Sequence, residues 1–168
     1  MYTIQEISSK QLNLIKDLAY KIWPVCYANI LTEDQITYML DKFYNIKNLE
    51  NCIQQNHQFV VIYQNQTPLG FASYQLNTNQ AQQTKLHKLY VDTTQHQRGL
   101  GKMLIQFVEK KAQLQAQKSV LLNVNIHNNA VDFYKKQGYT ILKSEIIPIG
   151  NNYVMDDYVM ELRLNIKS

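Results

Sequence analysis

The hydrophobic pattern of this chain changes its period at Val91, and that change limits the possible folds more than any other feature. Before it, three strand-like runs follow one another: the β-rich Phe59 to Tyr63, then Leu69 to Leu76 and Lys85 to Val91. The turn Gln64-Asn65-Gln66-Thr67-Pro68 separates the first two, and the polar stretch Gln75 to Gln83 separates the last two. Such spacing predicts an antiparallel meander. After Val91, strand and helix patterns alternate. A loop from Asp92 to Arg98 leads into a helix with Leu100, Met103, Leu104, Phe107, Val108 and Leu114 on its buried side. Val120 to Ile126 reads as a strand. Asn128 can cap a second helix bearing Val131, Phe133 and Tyr134, and Gly138 suits the left-handed position at its end. Tyr139 to Ile147 and Tyr153 to Leu164 close the chain as two strands paired through Gly150-Asn151.

Ahead of the meander the pattern is helical. Tyr2 to Ile7 alternates and predicts an opening strand. From Ser8 onward Leu12, Ile15, Leu18, Ala19, Ile22 and Trp23 recur at helical spacing. Pro24 interrupts or ends that helix, because it lacks the N–H an interior position needs. Thr32-Glu33-Asp34-Gln35 reads as a capping box opening a helix with Ile36, Met39, Leu40 and Phe43 inward. Asn48 to Gln55 can add a short further helix. The expectation is one α+β domain over residues 1–168, with a central mixed, largely antiparallel sheet flanked by helices. The principal elements run β-α-α-β-β-β-α-β-α-β-β.

Composition closes off several functional classes. Hydrophobic residues make up 45% and charged residues 18% of 168, as in a globular domain with an ordinary core. No apolar run approaches the roughly 18 residues a membrane-spanning helix needs, so no membrane partner is expected. Met1-Tyr2-Thr3-Ile4-Gln5 lacks a basic then apolar segment, and no signal peptide is expected. Cys26 and Cys52 are too few for a disulfide framework and read as free thiols in a reducing compartment, the cytoplasm. His57, His87, His96 and His127 are scattered without metal-ligand spacing, so no metal is expected. The net charge of +4 suits an anionic small ligand as well as a nucleic acid. Only Arg98 and Arg163 are arginines, and no basic cluster exists, which argues against nucleic acid.

The chemistry concentrates where the strand ending at Val91 passes into the long helix. Gly99 and Gly101 flank that helix start. Glycine permits unusual dihedrals and close approach of backbone to a ligand. The first N–H groups of a helix lack internal partners, and the helix dipole favours an anion there. Together these make a pyrophosphate cradle, to which Arg98 and Lys102 can add charge. The same glycines also suit a plain tight turn. No G-K-[ST] follows, as a Walker loop requires, and the dinucleotide glycine pattern with its acidic ribose ligand is missing.

In its motifs the chain resembles the GNAT family of N-acetyltransferases. Leu89-Tyr90-Val91 followed by His96-Gln97-Arg98-Gly99-Leu100-Gly101-Lys102 is similar to that family's strand and its Q/R-x-x-G-x-G/A loop. Asn125-Ile126-His127-Asn128-Asn129-Ala130, then Phe133-Tyr134-Lys135-Lys136-Gln137-Gly138-Tyr139, is similar to the motif N-x-x-N-x-A with F-Y-x-x-x-G-F/Y. His96 stands where the family has Gln or Arg, a departure that a cradle made mainly of backbone N–H groups can absorb. The resemblance implies acetyl-CoA as co-substrate and acetylation of a primary amine on a small molecule or peptide. It implies that the backbone of Leu89, Tyr90 and Val91 pairs with the pantetheine amides. Backbone N–H groups of His96, Gln97, Arg98, Gly99, Leu100, Gly101 and Lys102 would hold the pyrophosphate, and Asn128 would either contact the cofactor arm or only cap its helix.

Tyr134 is the expected acid. A thiol has a reference pKa of ~8.5 and a phenol ~10, so a neutral tyrosine can protonate or hydrogen-bond a departing thiolate. For the base the preceding strand offers His87 in place of a carboxylate, on a face shared by alternation with Leu89 and Val91. Asp156 and Asp157 can instead attract a cationic amine. Trp23, Tyr27, Tyr38, Phe43 and Tyr153 are candidates for the acceptor wall, with Asp156 beside them. A homodimer through sheet edges is a further implication. Other readings stay open at this point: acetylation of a protein amino terminus, lysine side chain or aminoacyl-tRNA, a non-catalytic acyl-CoA sensor, and a nucleic-acid-associated protein. Tyr134 favours catalysis over sensing, because binding alone does not need it.

Overall fold

The computed structural model describes residues 1–95 and 98–166. Strand β1 (Tyr2–Glu6) precedes three helices, α1 (Leu12–Cys26), α2 (Glu33–Phe43) and α3 (Ile46–Gln54). The meander follows as β2 (Gln58–Gln64), β3 (Thr67–Thr78) and β4 (Gln83–Val91). Then come α4 (Leu100–Leu114), β5 (Ser119–Asn125), α5 (Ala130–Lys136), β6 (Thr140–Gly150) and β7 (Tyr153–Arg163). The strands form one seven-stranded sheet in the order β1-β2-β3-β4-β5-β7-β6. Only β4 and β5 run parallel, since α4 crosses between them; the other neighbours are antiparallel.

Each face of the sheet carries its own core. Strand β2 shows how: Phe59 and Val61 point into a cluster with α1, α2 and α3, while Val60 and Ile62 point into one with α4 and α5. Burial on both faces is why the run from Phe59 to Ile62 is continuously apolar. The six apolar positions of α1 read from the sequence are all buried. On α4 the inward side is Leu100, Leu104, Ile105, Val108 and Ala112, whereas Leu114 in the last turn is exposed.

Several local expectations are refined. Pro24 lies in the last turn of α1, and the helix ends two residues later, where Tyr27 N–H reaches Trp23 C=O at 2.9 Å. The Thr32 side chain accepts from Gln35 N–H at 3.2 Å, as a cap should. The Gln35 amide, however, donates to Val154 C=O at 3.1 Å and so ties α2 to β7. The short further helix, α3, forms from Ile46 and is capped by Asn45, whose side chain accepts from Asn48 N–H at 2.8 Å. The β6–β7 turn is made by Asn151 and Asn152, both at positive φ (52° and 59°), one residue beyond the expected Gly150-Asn151. Two positive φ values define the turn type whose twist matches paired strands, and asparagine tolerates them.

Candidate functional site

Strands β4 and β5 are paired only from Gln83 to Leu86 and from Ser119 to Leu122. Beyond that point β4 stays with β3, as Ala72↔Leu89, Phe71↔Tyr90 and Gly70↔Val91. Strand β5 stays with β7, down to Asn125↔Asp157. The two strands therefore diverge and open a cleft through the sheet. The divergence coincides with a bulge in β4. Tyr74 faces Leu86 and Ser73 faces Lys88, so His87 is an extra residue with no partner across the ladder. From His87 to Val91 the cleft side of β4 is an unpaired strand edge, a template for an extended ligand with amide groups. Leu89 and Tyr90 both line the cleft there.

The bulge corrects the sequence reading of His87. Leu86, Leu89 and Val91 pack with α4 and α5, while Tyr90 packs with the helices of the other face. One inserted residue breaks the alternation, so His87 no longer shares a face with Leu89 and Val91. Its ring stacks on His57 at 3.9 Å between centroids and 8° between planes, and it hydrogen-bonds Gln75 at 3.1 Å. Burial, with His57, Lys88 and Lys85 close by, lowers its pKa to about 3. His87 still lines the cleft, as a neutral ring.

The start of α4 lies beside Leu89, one of the residues that line the cleft. Gly99 takes φ 74° and ψ 13°, a left-handed position that glycine adopts without strain, and its C=O accepts from Met103 N–H at 3.0 Å. A Cβ on Gly101 would stand 3.4 Å from the ring of Phe133, so the second glycine lets α4 sit close to α5. The first N–H groups of α4, at Leu100, Gly101 and Lys102, start the helix without intrahelical partners. Arg98 and Lys102 are exposed beside them. His96 and Gln97 lie outside the described residues. The loop before the helix is anchored by Asp92, a residue the sequence reading passed over. Asp92 accepts from Thr94 N–H at 3.0 Å and pairs with Lys21 of α1 at 2.5 Å. Burial works against its charge, but Lys21 and Thr94 outweigh it and hold the carboxyl below its usual range.

Tyr134 lines the cleft from α5 and is buried. Burial, with Cys26 nearby, pushes its phenol well above the ordinary value and keeps it protonated. Asn128 also lines the cleft, and its side-chain oxygen accepts from Ala130 N–H at 2.9 Å. That bond closes the turn just ahead of α5, whose cap position is Asn129, and the Asn128 side-chain NH2 has no partner among the described residues.

On the opposite face, Trp23 of α1 and Tyr27, the residue after its end, line the cleft. The Tyr27 and Tyr90 hydroxyls share a hydrogen bond of 2.9 Å, and both phenols are raised by burial. Tyr38, Tyr153, Phe43 and Asp156 fall outside the cleft lining. Tyr38 packs on Tyr153 at 5.3 Å and donates to Ile149 C=O at 2.7 Å, which fixes the β6–β7 hairpin against α2. The acidic residue in the cleft is Asp157. Alternation along β7 could have found it, since Asp157, and not Asp156, shares a face with Tyr153 and Met155. Asp157 is 6% exposed. Burial raises its carboxyl pKa, with Asn123 and Lys85 pulling the other way.

A splayed parallel pair with a glycine-started helix at its mouth is an architecture for holding an extended ligand with an anionic end. The comparisons with known proteins agree. Residues 27–156 match the family model "Acetyltransferase (GNAT) domain". Over 159 residues the chain is 23% identical to a spermidine N(1)-acetyltransferase of Thermoplasma acidophilum, covering 91% of this chain and 94% of that one. The crystal structure of PaiA N-acetyltransferase from Thermoplasma acidophilum in complex with coenzyme A superposes with a TM-score of 0.81 at 22% identity, over 98% and 99% of the two chains. The ribosomal-protein-S18-alanine N-acetyltransferase of Escherichia coli has the same fold, with a TM-score of 0.76 at 16% identity over 100% and 97%. The chain belongs to the GNAT acetyltransferase family. It is an acetyl-CoA-dependent N-acetyltransferase.

Proposed function

We propose that this enzyme transfers the acetyl group to a primary amine of a small molecule or peptide by direct attack within the β4–β5 cleft. The observation that carries this reading is the position of Tyr134 on the wall of that cleft. In this reading the unpaired edge of β4 at Leu89, Tyr90 and Val91 holds the pantetheine arm by strand addition. The start of α4, from Arg98 to Lys102, holds the pyrophosphate, with His96 and Gln97 completing the loop. Asn128 contributes its free NH2 to the arm. Trp23 and Tyr27 wall the acceptor side. Tyr134 protonates the departing sulfur. The polyamine named for the Thermoplasma acidophilum relative makes spermidine one reasonable acceptor.

The test is an acetyl-CoA turnover assay with free thiol as readout, across polyamines, amino acids, aminoglycosides and peptides. Acetylation of one or more amines is the expected result. Tight acetyl-CoA binding without turnover on any amine would replace this reading with a sensor.

Two features bear on setting. No helix among the described residues is long and apolar enough to cross a membrane. Cys26 and Cys52 are free thiols, which fits a reducing cytoplasm. We also infer a homodimer through β6, the sheet's outer strand. Leu142 and Ile146 on it are 53% and 67% exposed, an apolar edge that favours pairing. Antiparallel pairing of two copies about Ser144 sets Lys143 opposite Glu145 of the second copy, and Leu142 opposite Ile146. Opposite charges facing each other across strands are stabilising.

A further inference from the structure

We propose that Asp157 is the catalytic carboxylate on the acceptor side of the cleft: it holds the incoming ammonium and takes its proton, with Asn123 and Lys85 as positioning residues. This rests on the N-acetyltransfer reading above.

The cleft passes through the sheet, so its two mouths lie on opposite faces. Tyr134 enters from the α4–α5 side. Asp157 faces the other side, the one walled by Trp23 and Tyr27, because it alternates in phase with Tyr153 and Met155, which pack in the α1–α3 cluster. An acid for the leaving group and a carboxylate for the nucleophile therefore stand across the cleft from each other. The register Asn125↔Asp157 puts the carboxylate where β5 has already left β4. That is the open part of the cleft.

A carboxylate this deeply buried needs compensation. The chain supplies little of it directly: Asn123 donates its amide NH2 at 3.5 Å, at the long limit of a hydrogen bond. The Asn123 side-chain oxygen in turn accepts from the Lys85 ammonium. Lys85 thus orients Asn123 and lends positive charge without filling the carboxylate. Two carboxylate oxygens can accept about four hydrogen bonds. The remaining capacity faces the cleft, and an ammonium with three N–H donors suits it. The other groups around Asp157 are Glu145 on β6 and Asp156 on β7, which both disfavour its charge, and the neutral Tyr27 just after α1. Burial also raises its proton affinity, which narrows the gap to an amine.

The step balances. The substrate R–NH3+ gives one proton to the Asp157 carboxylate. The freed lone pair forms the C–N bond at the thioester carbonyl, and the C–S bond breaks with its electrons on sulfur. Tyr134 gives its proton to sulfur and regains one from the nitrogen. Asp157 then releases its proton to water. The sum is amine cation plus thioester to amide plus thiol plus one proton.

The experiment compares D157N with wild type on two acceptors: the panel amine that wild type acetylates fastest, and hydroxylamine, which is unprotonated at neutral pH. We expect D157N to lose about 100-fold in kcat/KM on the alkylamine, as for loss of a general base, and little on hydroxylamine. Coenzyme A affinity by calorimetry should stay unchanged. Undiminished alkylamine turnover in D157N, or an equal loss on both acceptors, would overturn the assignment. N123L and K85M provide a second readout. Each removes an interaction that lowers the Asp157 pKa, so the acid limb of kcat/KM should move to higher pH. Unmoved limbs in both variants would overturn the positioning role, and would decide against the proposal if D157N does not fold. Wild type inactive on every amine is a different outcome, and it would refute the transfer reading itself.

Discussion

A departing thiolate needs a donor that is still protonated at neutral pH, and the buried Tyr134 phenol is held in that form by its surroundings. Replacing it with phenylalanine keeps the ring packing against Phe133 and Tyr139 and removes only the hydroxyl. Turnover of Tyr134→Phe should fall by about 10-fold or more, in line with a lost general acid, while the coenzyme A dissociation constant stays near that of wild type. Unchanged turnover would take Tyr134 out of the mechanism. The His57–His87 stack leads to a prediction about stability. Burial, then Lys88, lowers His57 to about 4, and His87 lies at about 3. An unfolded histidine titrates near ~6.5, so below that pH the unfolded chain binds more protons than the folded one. Both folded values are depressed, so stability is full above that pH and is lost progressively as pH falls toward the folded values. Thermal melts should show this decline, and His87→Gln should make it shallower. A wild-type melting temperature that is flat over this range would contradict the buried, neutral state of the pair.

At the scale of elements, the mouth of the cleft depends on how α4 begins. Gly101 sits against Phe133 of α5, and a branched side chain there must push the two helices apart. Gly101→Val should cost on the order of 1–3 kcal/mol as an overpacked contact. It should also weaken coenzyme A binding by calorimetry more than it changes the fold by circular dichroism. Gly99 tests a different property of the same turn. No atom stands within 4 Å of a Cβ built there, yet φ is 74°. Gly99→Ala should therefore cost about 1–2 kcal/mol from backbone strain alone. If the Gly101 variant binds coenzyme A as wild type does, the start of α4 is not the anion cradle.

At the scale of the whole molecule, the sheet ends on one side in β6, where Leu142 and Ile146 face solvent. A lysine in place of Ile146 would put a charge into the paired edge opposite Leu142 of the second copy. Analytical ultracentrifugation should find wild type as a dimer and Ile146→Lys as a monomer. A monomeric wild type at micromolar concentration would refute the β6 pairing. The cleft lies within one chain, between β4 and β5, so the monomeric variant should keep its acetyl-CoA turnover.

The period change at Val91, the helical spacing of α1 and α2, and the two glycine and asparagine motifs were legible in the sequence, because each reflects local geometry or short-range burial. They sufficed for the element order and for the family to which the chain belongs. What lay beyond them depends on how distant elements meet. The bulge at His87 exists only as a mismatch between β3 and β4, so simple alternation put that histidine on the wrong face. The separation of β4 from β5 is a property of two strands joined through a helix, and no window of sequence contains it. Asp157 reaches the cleft only because β7 is inserted between β5 and β6, and Lys85 reaches it only through Asn123. Local periodicity determined which residues are helix, strand and core. Pairing between residues far apart in the chain decided which of the polar ones stand together, because that choice is set by register and not by composition.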